Sequence, residues 1–130
     1  MKIYLSGASA EHDLCADYMA RLRCAGFDVA VDWCADVRAH GVGNPTDQEL
    51  AATLAKRDLA GIPTAAVFWL LVPDAKSIGC WIECGYALAH GIHIIVSGDW
   101  EATIFSSLAT HRFGDHESAF GHIVSFGGEA

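Results

Sequence analysis

The chain has 130 residues, enough for one compact domain with a real core. Its apolar fraction of 52% and charged fraction of 18% exclude a disordered chain. The net charge of −8 argues against non-specific binding to a nucleic-acid polymer or an anionic membrane. A small anionic ligand stays open, because it feels only the local field of its site. No run of about 18 apolar residues exists, so no transmembrane helix is expected. Met1-Lys2-Ile3-Tyr4-Leu5 leads straight into Ser6-Gly7, without the apolar core of a signal peptide. The five cysteines, Cys15, Cys24, Cys34, Cys80 and Cys84, lack a disulfide-framework pattern and read as reduced thiols of a cytoplasmic protein. Cys80 and Cys84 share a helix face, but no second Cys or His pair at metal spacing accompanies them. Neither a metal nor another cofactor is expected.

Lys2–Ser6 reads as a first strand, followed by a small-residue turn, Ser6-Gly7-Ala8-Ser9. A helix is expected over about 10–25, with Leu14, Tyr18, Leu22 and Ala25 on its buried face and Gly26 as its stop. Residues 27–31 form a second strand that delivers Asp32-Trp33 at its end. Residues 34–46, with Gly41, Gly43, Asn44 and Pro45, read as irregular. Thr46 with Glu49 makes a capping box for a helix over about 47–59, ended by Gly61 and Pro63. Residues 65–72 are apolar throughout, the pattern of a central parallel strand. After a loop at 73–76, a helix spans about 78–90 and stops at Gly91. Residues 92–97 form a fourth strand. A short helix near 102–108, a short strand at 110–113, a last helix over 115–125 and a flexible tail at 127–130 complete the chain. The whole of 1–130 reads as a single domain.

Alternating strands and helices imply a three-layer α/β domain, a doubly wound parallel sheet of flavodoxin-like order 2-1-3-4-5. Ligands of such sheets bind beyond the carboxyl ends of the strands, at the switch point between the first and third. That rule selects the loops after Ser6, Val31, Val72 and Ser97. The Ser6–Ser9 turn serves either as an anion cradle at a helix N-terminus or as a plain strand-to-helix turn. Asp58 stands near a helix C-terminus, against the macrodipole, so it calls for either an ion pair with Arg57 or Lys56 or a function. Glu83 is the one acid in an otherwise apolar helix, between Trp81, Ile82, Tyr86 and Leu88. The small residues Gly79 and Ala87 leave room above it for a ligand. Trp33 either stacks on a base or covers the core. His90, His93, His111, His116 and His122 carry no ligand-pair spacing and are set aside.

Three pieces carry a family resemblance: Lys2-Ile3-Tyr4-Leu5-Ser6-Gly7, Arg57-Asp58-Leu59-Ala60-Gly61-Ile62, and Gly79-x-x-x-Glu83-x-Gly85-Tyr86-Ala87. In order and spacing the chain resembles the nucleoside 2-deoxyribosyltransferase superfamily, including its 2′-deoxynucleoside 5′-monophosphate N-glycosidase branch. The resemblance implies cleavage or transfer of an N-glycosidic bond. It makes Glu83 the nucleophile at the anomeric carbon, through a glycosyl-enzyme ester. Asp58 becomes a sugar-contacting or proton-handling residue, and Tyr4 a pocket residue that orients the nucleophile. It implies substrate contacts from Ser6, Gly7, Ser9, Trp33, Ser77 and Gly79. Six residues before the glutamate the transferases tend to carry Asp and the monophosphate hydrolases Ser. This chain has Ser77, which favours a 5′-monophosphate and hydrolysis. The loop after Gly7 lacks the phosphate-pairing Arg of that branch; Ser9 and His12 are its nearest polar side chains. A homodimer or higher oligomer, with a neighbour completing the site, is also implied. Two alternatives remain: a non-catalytic nucleotide sensor on the same fold, and a TIR-type NAD glycohydrolase.

Overall fold

The computed structural model describes residues 1–43, 45–74 and 76–127. Its centre is a five-stranded parallel sheet of β1 (Lys2–Ser6), β2 (Asp28–Val29), β3 (Val67–Leu71), β4 (His93–Ser97) and β5 (His111–Phe113), in the order β2-β1-β3-β4-β5. This is the flavodoxin-like arrangement expected from the alternation of elements. All five residues of β3 are buried, as its unbroken apolar run requires of a strand covered on both faces.

Side chains alternate across the sheet, so each strand feeds two cores. Ile3, Leu5, Val67, Trp69, Leu71 and Ile95 face one layer: α1 (His12–Cys24), α2 (Trp33–His40) and α5 (His116–Gly127). Tyr4, Phe68, Leu70, Ile94 and Val96 face the other: α3 (Gln48–Gly61) and α4 (Gly79–Ala89). Short 3₁₀ turns at Ser9–Glu11, Ile62–Thr64, Trp100–Ala102 and Ile104–Leu108 join the elements. At the carboxyl end of β4, the buried Ser97 accepts from Trp69 Nε1 at 2.9 Å and pairs with His116 Nδ1 at 2.7 Å, seating the start of α5.

Several local expectations need correction. The stretch expected to be irregular opens with α2, capped by Asp32, whose side chain accepts from Ala35 N at 3.2 Å. The cap of α3 is Asp47 rather than Thr46, because Asp47 Oδ1 accepts from both Glu49 N and Leu50 N. Leu14 is 39% exposed; the buried stripe of α1 is Cys15, Tyr18, Met19 and Leu22. Ala25 is exposed too. The second strand is shorter than expected, and α5 runs on to include Gly127 of the supposed tail. Asn44 of the irregular stretch, Ala75 of the loop before α4 and residues 128–130 lie outside the described residues.

Gly61 brings the end of α3 against β1. A Cβ there meets Val31 Cγ2 at 2.4 Å and Tyr4 Cε2 at 3.6 Å. Gly61→Ala should therefore destabilise the fold by about 1–2 kcal/mol in urea unfolding, the overpacking strain exceeding the gain in helix propensity. In a Val31→Ala background the loss should shrink markedly. Strict additivity of the two changes would refute close packing as its cause.

Candidate active site

Glu83 lies in the second turn of α4, and its side chain reaches back over the carboxyl end of β1. Tyr4 and Ser6 are two apart on β1 and so present the same face. Tyr4 OH donates a short hydrogen bond to Glu83 Oε2, and Ser6 Oγ donates to Glu83 Oε1 at 2.8 Å. Both carboxylate oxygens are thus held, and each keeps a lone pair for the space in front of it. Tyr4 is itself fully buried and stacks on Phe68, with ring centroids 5.5 Å apart and planes 10° off parallel. Ser6 is fully buried as well, so its action here is on the carboxylate.

Burial pushes the Glu83 carboxyl up to about 7, against the opposing pull of the Tyr4 and Ser6 hydrogen bonds and with a smaller push from Asp58. Burial and the adjacent carboxylate hold the Tyr4 phenol far above its ordinary value, so it stays a donor. Asp58, near the end of α3, faces the same space. Burial raises its carboxyl and the Arg57 guanidinium opposes that. Arg57 is paired chiefly with Asp36 on α2 and lies 3.4 Å from Asp58. The expected Arg57 pairing of Asp58 is present, but the guanidinium is shared.

In front of Glu83 opens a cleft of about 600 Å³, within the range of small-ligand sites. Gly7, Ser9, Trp33, Asp58, Ser77 and Gly79 all line it, together with Glu83. Gly7 has a packing reason as well: a Cβ there would stand 2.6 Å from Cys15 Sγ. Ser9 Oγ accepts from Gly43 N at 3.2 Å and so ties the first loop to the end of α2. Trp33 is only 8% exposed, and its Nε1 donates to Leu5 O at 2.7 Å. It covers the core and turns part of the indole to the cleft. Among the described residues, a Cβ added at Gly79 would meet nothing within 4 Å, and no side chain caps the N-terminus of α4. Ala87 does not open the site; it is fully buried against the sheet.

Three further polar residues line the cleft: Asp36 and His40, which no sequence signal marks, and Lys76. Asp36 and His40 belong to α2, whose periodicity is masked by the glycines and proline that follow. Lys76 adjoins Ser77 and is legible as a cation beside an anion-tolerant helix start. The cysteines are all free thiols, and Cys80 and Cys84 are buried under α4. Among the described residues no helix is long and apolar enough to cross a membrane.

No protein-family model matches the chain, and no curated protein matches its sequence. Among solved structures the chain is similar to the CMP N-glycosidase BcmB of Clostridium botulinum, with a TM-score of 0.63 and 16% identity over 97% of this chain and 99% of that one. At that identity the likeness is one of fold.

A buried carboxyl with a raised pKa costs stability once ionised. Glu83 is about 7 when folded against an ordinary value of 4.5, so the folded state binds the extra proton between those pH values and stability falls as pH rises through that window. Glu83→Gln keeps the shape without the charge. Its unfolding free energy should exceed that of the parent by up to about 3 kcal/mol above pH 7. The difference should vanish below pH 4.5. A difference independent of pH would show that the carboxylate is not penalised by burial.

Proposed function

We propose that the chain cleaves the N-glycosidic bond of a nucleoside 5′-monophosphate, ribo or 2′-deoxy, by double displacement at Glu83. The observation that carries this is a half-buried carboxylate, held by Tyr4 and Ser6 in a cleft of nucleotide size. In the first step a Glu83 oxygen bonds to C1′ as the C1′–N bond breaks, and the electron pair leaves with the base. Asp58, in the same cleft, supplies the proton that neutralises the leaving nitrogen. In the second step water attacks C1′, the ester bond to Glu83 breaks, and the water proton returns to Asp58. Charge develops on the sugar in both transition states, and a carboxylate already stripped of water stabilises it without reorganising.

The preference for a phosphate rests on the other end of the cleft. Ser77 and the uncapped N-terminus of α4 offer a hydroxyl and backbone N–H groups, and Lys76 supplies a positive charge. The similarly folded glycosidase acts on CMP, which puts a pyrimidine monophosphate first among substrates to try. Hydrolysis is favoured over base exchange, following Ser77.

A panel of nucleosides and their 5′-monophosphates, followed by free base, tests the assignment. Base release should fall at least about a thousandfold in Glu83→Ala. A 2-fluoro-substituted sugar should leave a covalent adduct on Glu83, which a mere nucleotide-binding module would not form. Undiminished release in Glu83→Ala would sink the proposal. Because only ionised Glu83 attacks, kcat/KM should drop about tenfold per unit as the pH falls below about 7. Tyr4→Phe removes a donor that lowers Glu83, so this acidic limb should move to higher pH. An unmoved limb would assign the titration to another group.

The expected oligomer is part of the same proposal. Ile78 just before α4, Ile82 on it, and Ile104, Phe105 and Leu108 beyond β4 are exposed apolar side chains, at 59–80%. Ile78 and Ile82 also border the cleft. A dimer across this face buries them and brings a second chain to the rim of the site. Sedimentation velocity should give a dimer for the parent chain and a monomer for Phe105→Asp; a monomeric parent would contradict the assembly.

A further inference from the structure

The only group of three or more metal-capable side chains among the described residues lies away from the cleft. His93 and His111 open the adjacent strands β4 and β5, at the amino edge of the sheet. His93 is two before Ile95 on β4, so it points to the α5 face, whereas Tyr4 and Glu83 belong to the opposite face. His122 on α5 lies three residues after the buried Ala119 and so is turned to the sheet. One ring nitrogen from each of the three lies within 4.8 Å of the others. His93 Nε2 is sealed from solvent and has no hydrogen-bond partner among the described residues. Phe113 and Phe126 wall the group, with ring centroids 5.3 Å from His122 and 5.5 Å from His93.

We propose that His93, His111 and His122 form a binding site for a divalent transition-metal ion of the zinc type, remote from the cleft. Plain aromatic packing accounts for the ring contacts. It does not account for a buried imidazole nitrogen left without a hydrogen-bond partner in a group of three imidazoles. A metal satisfies all three nitrogens at once. Imidazole is a ligand for zinc, copper and nickel rather than for magnesium or calcium. Zinc–nitrogen bonds of about 2.0–2.1 Å in a tetrahedral site put ligand nitrogens about 3.3 Å apart. The three nitrogens, within 4.8 Å of one another, draw together on binding, and water takes the fourth position. The ion ties β4, β5 and α5 together. The start of α5 is already held by His116 to Ser97 and by Glu117 to Tyr18; the ion holds its middle.

Chelator-stripped protein titrated with Zn²⁺ and with Co²⁺ tests this. One equivalent should bind, and the unfolding midpoint should rise with free Zn²⁺. The Co²⁺ form should show visible bands of nitrogen coordination without the near-ultraviolet thiolate charge-transfer band that binding at Cys24 or another cysteine would bring. His122→Phe keeps the aromatic packing and should weaken Zn²⁺ binding about tenfold or more. His111→Asn serves as a second removal should the first fail to fold. Absence of a midpoint shift, a thiolate spectrum, or equal stabilisation of parent and His122→Phe would each overturn the site.

Discussion

One carboxylate is gripped between a strand and a helix far apart in sequence. Tyr4 and Ser6 lie 79 and 77 residues from Glu83, and their hydroxyls take its two oxygens. The grip depends on strand alternation, which puts both hydroxyls on one face of β1. It depends also on α4 crossing that face with its second turn. Burial works against the charge, and the two hydrogen bonds work for it; the balance leaves Glu83 near 7. The carboxylate is thus an ionisable group kept where its charge costs stability.

The rest of the cleft follows from how the helices end. Gly61 lets α3 approach Tyr4 and Val31, and this carries Asp58 to the same space as Glu83. Arg57 then joins Asp58 to Asp36 on α2, so α2 helps to set the charge at the site. Trp33 starts α2 and is anchored to the backbone of β1 through Leu5 O. The sheet keeps two chemistries apart: the Glu83 carboxylate belongs to the face of α3 and α4, and the histidine group to the face of α5.

Local patterns mislead where two signals compete. Gly41, Gly43 and Pro45 dominate their stretch, and they hide a helix of eight residues just before them whose cap, Asp32, is in plain view. Thr46 and Asp47 are adjacent cap candidates, and the choice between them depends on where the chain leaves the preceding loop. Leu14 fits a helical stripe as well as Cys15 does; docking against Trp69 and Leu71 selects the stripe through Cys15. Ala87 and Gly79 are both small and share a helix side with Glu83, but one packs on the sheet and the other borders the cleft.

The parallel order of the sheet is legible in the chain alone, because unbroken apolar strands alternating with helices and right-handed crossovers leave few arrangements. Glu83 stands out in the same way, since an acid among Trp81, Ile82 and Tyr86 has no ordinary solvent face. What holds that acid is a matter of tertiary packing. Ser6 reads as a substrate contact, yet its hydroxyl is engaged by Glu83. Asp36 and His40 reach the cleft with no motif to announce them. The three histidines lack ligand spacing along the chain, and they meet across two strands and a helix. Contacts of this kind depend on strand register and helix docking, which local periodicity does not encode.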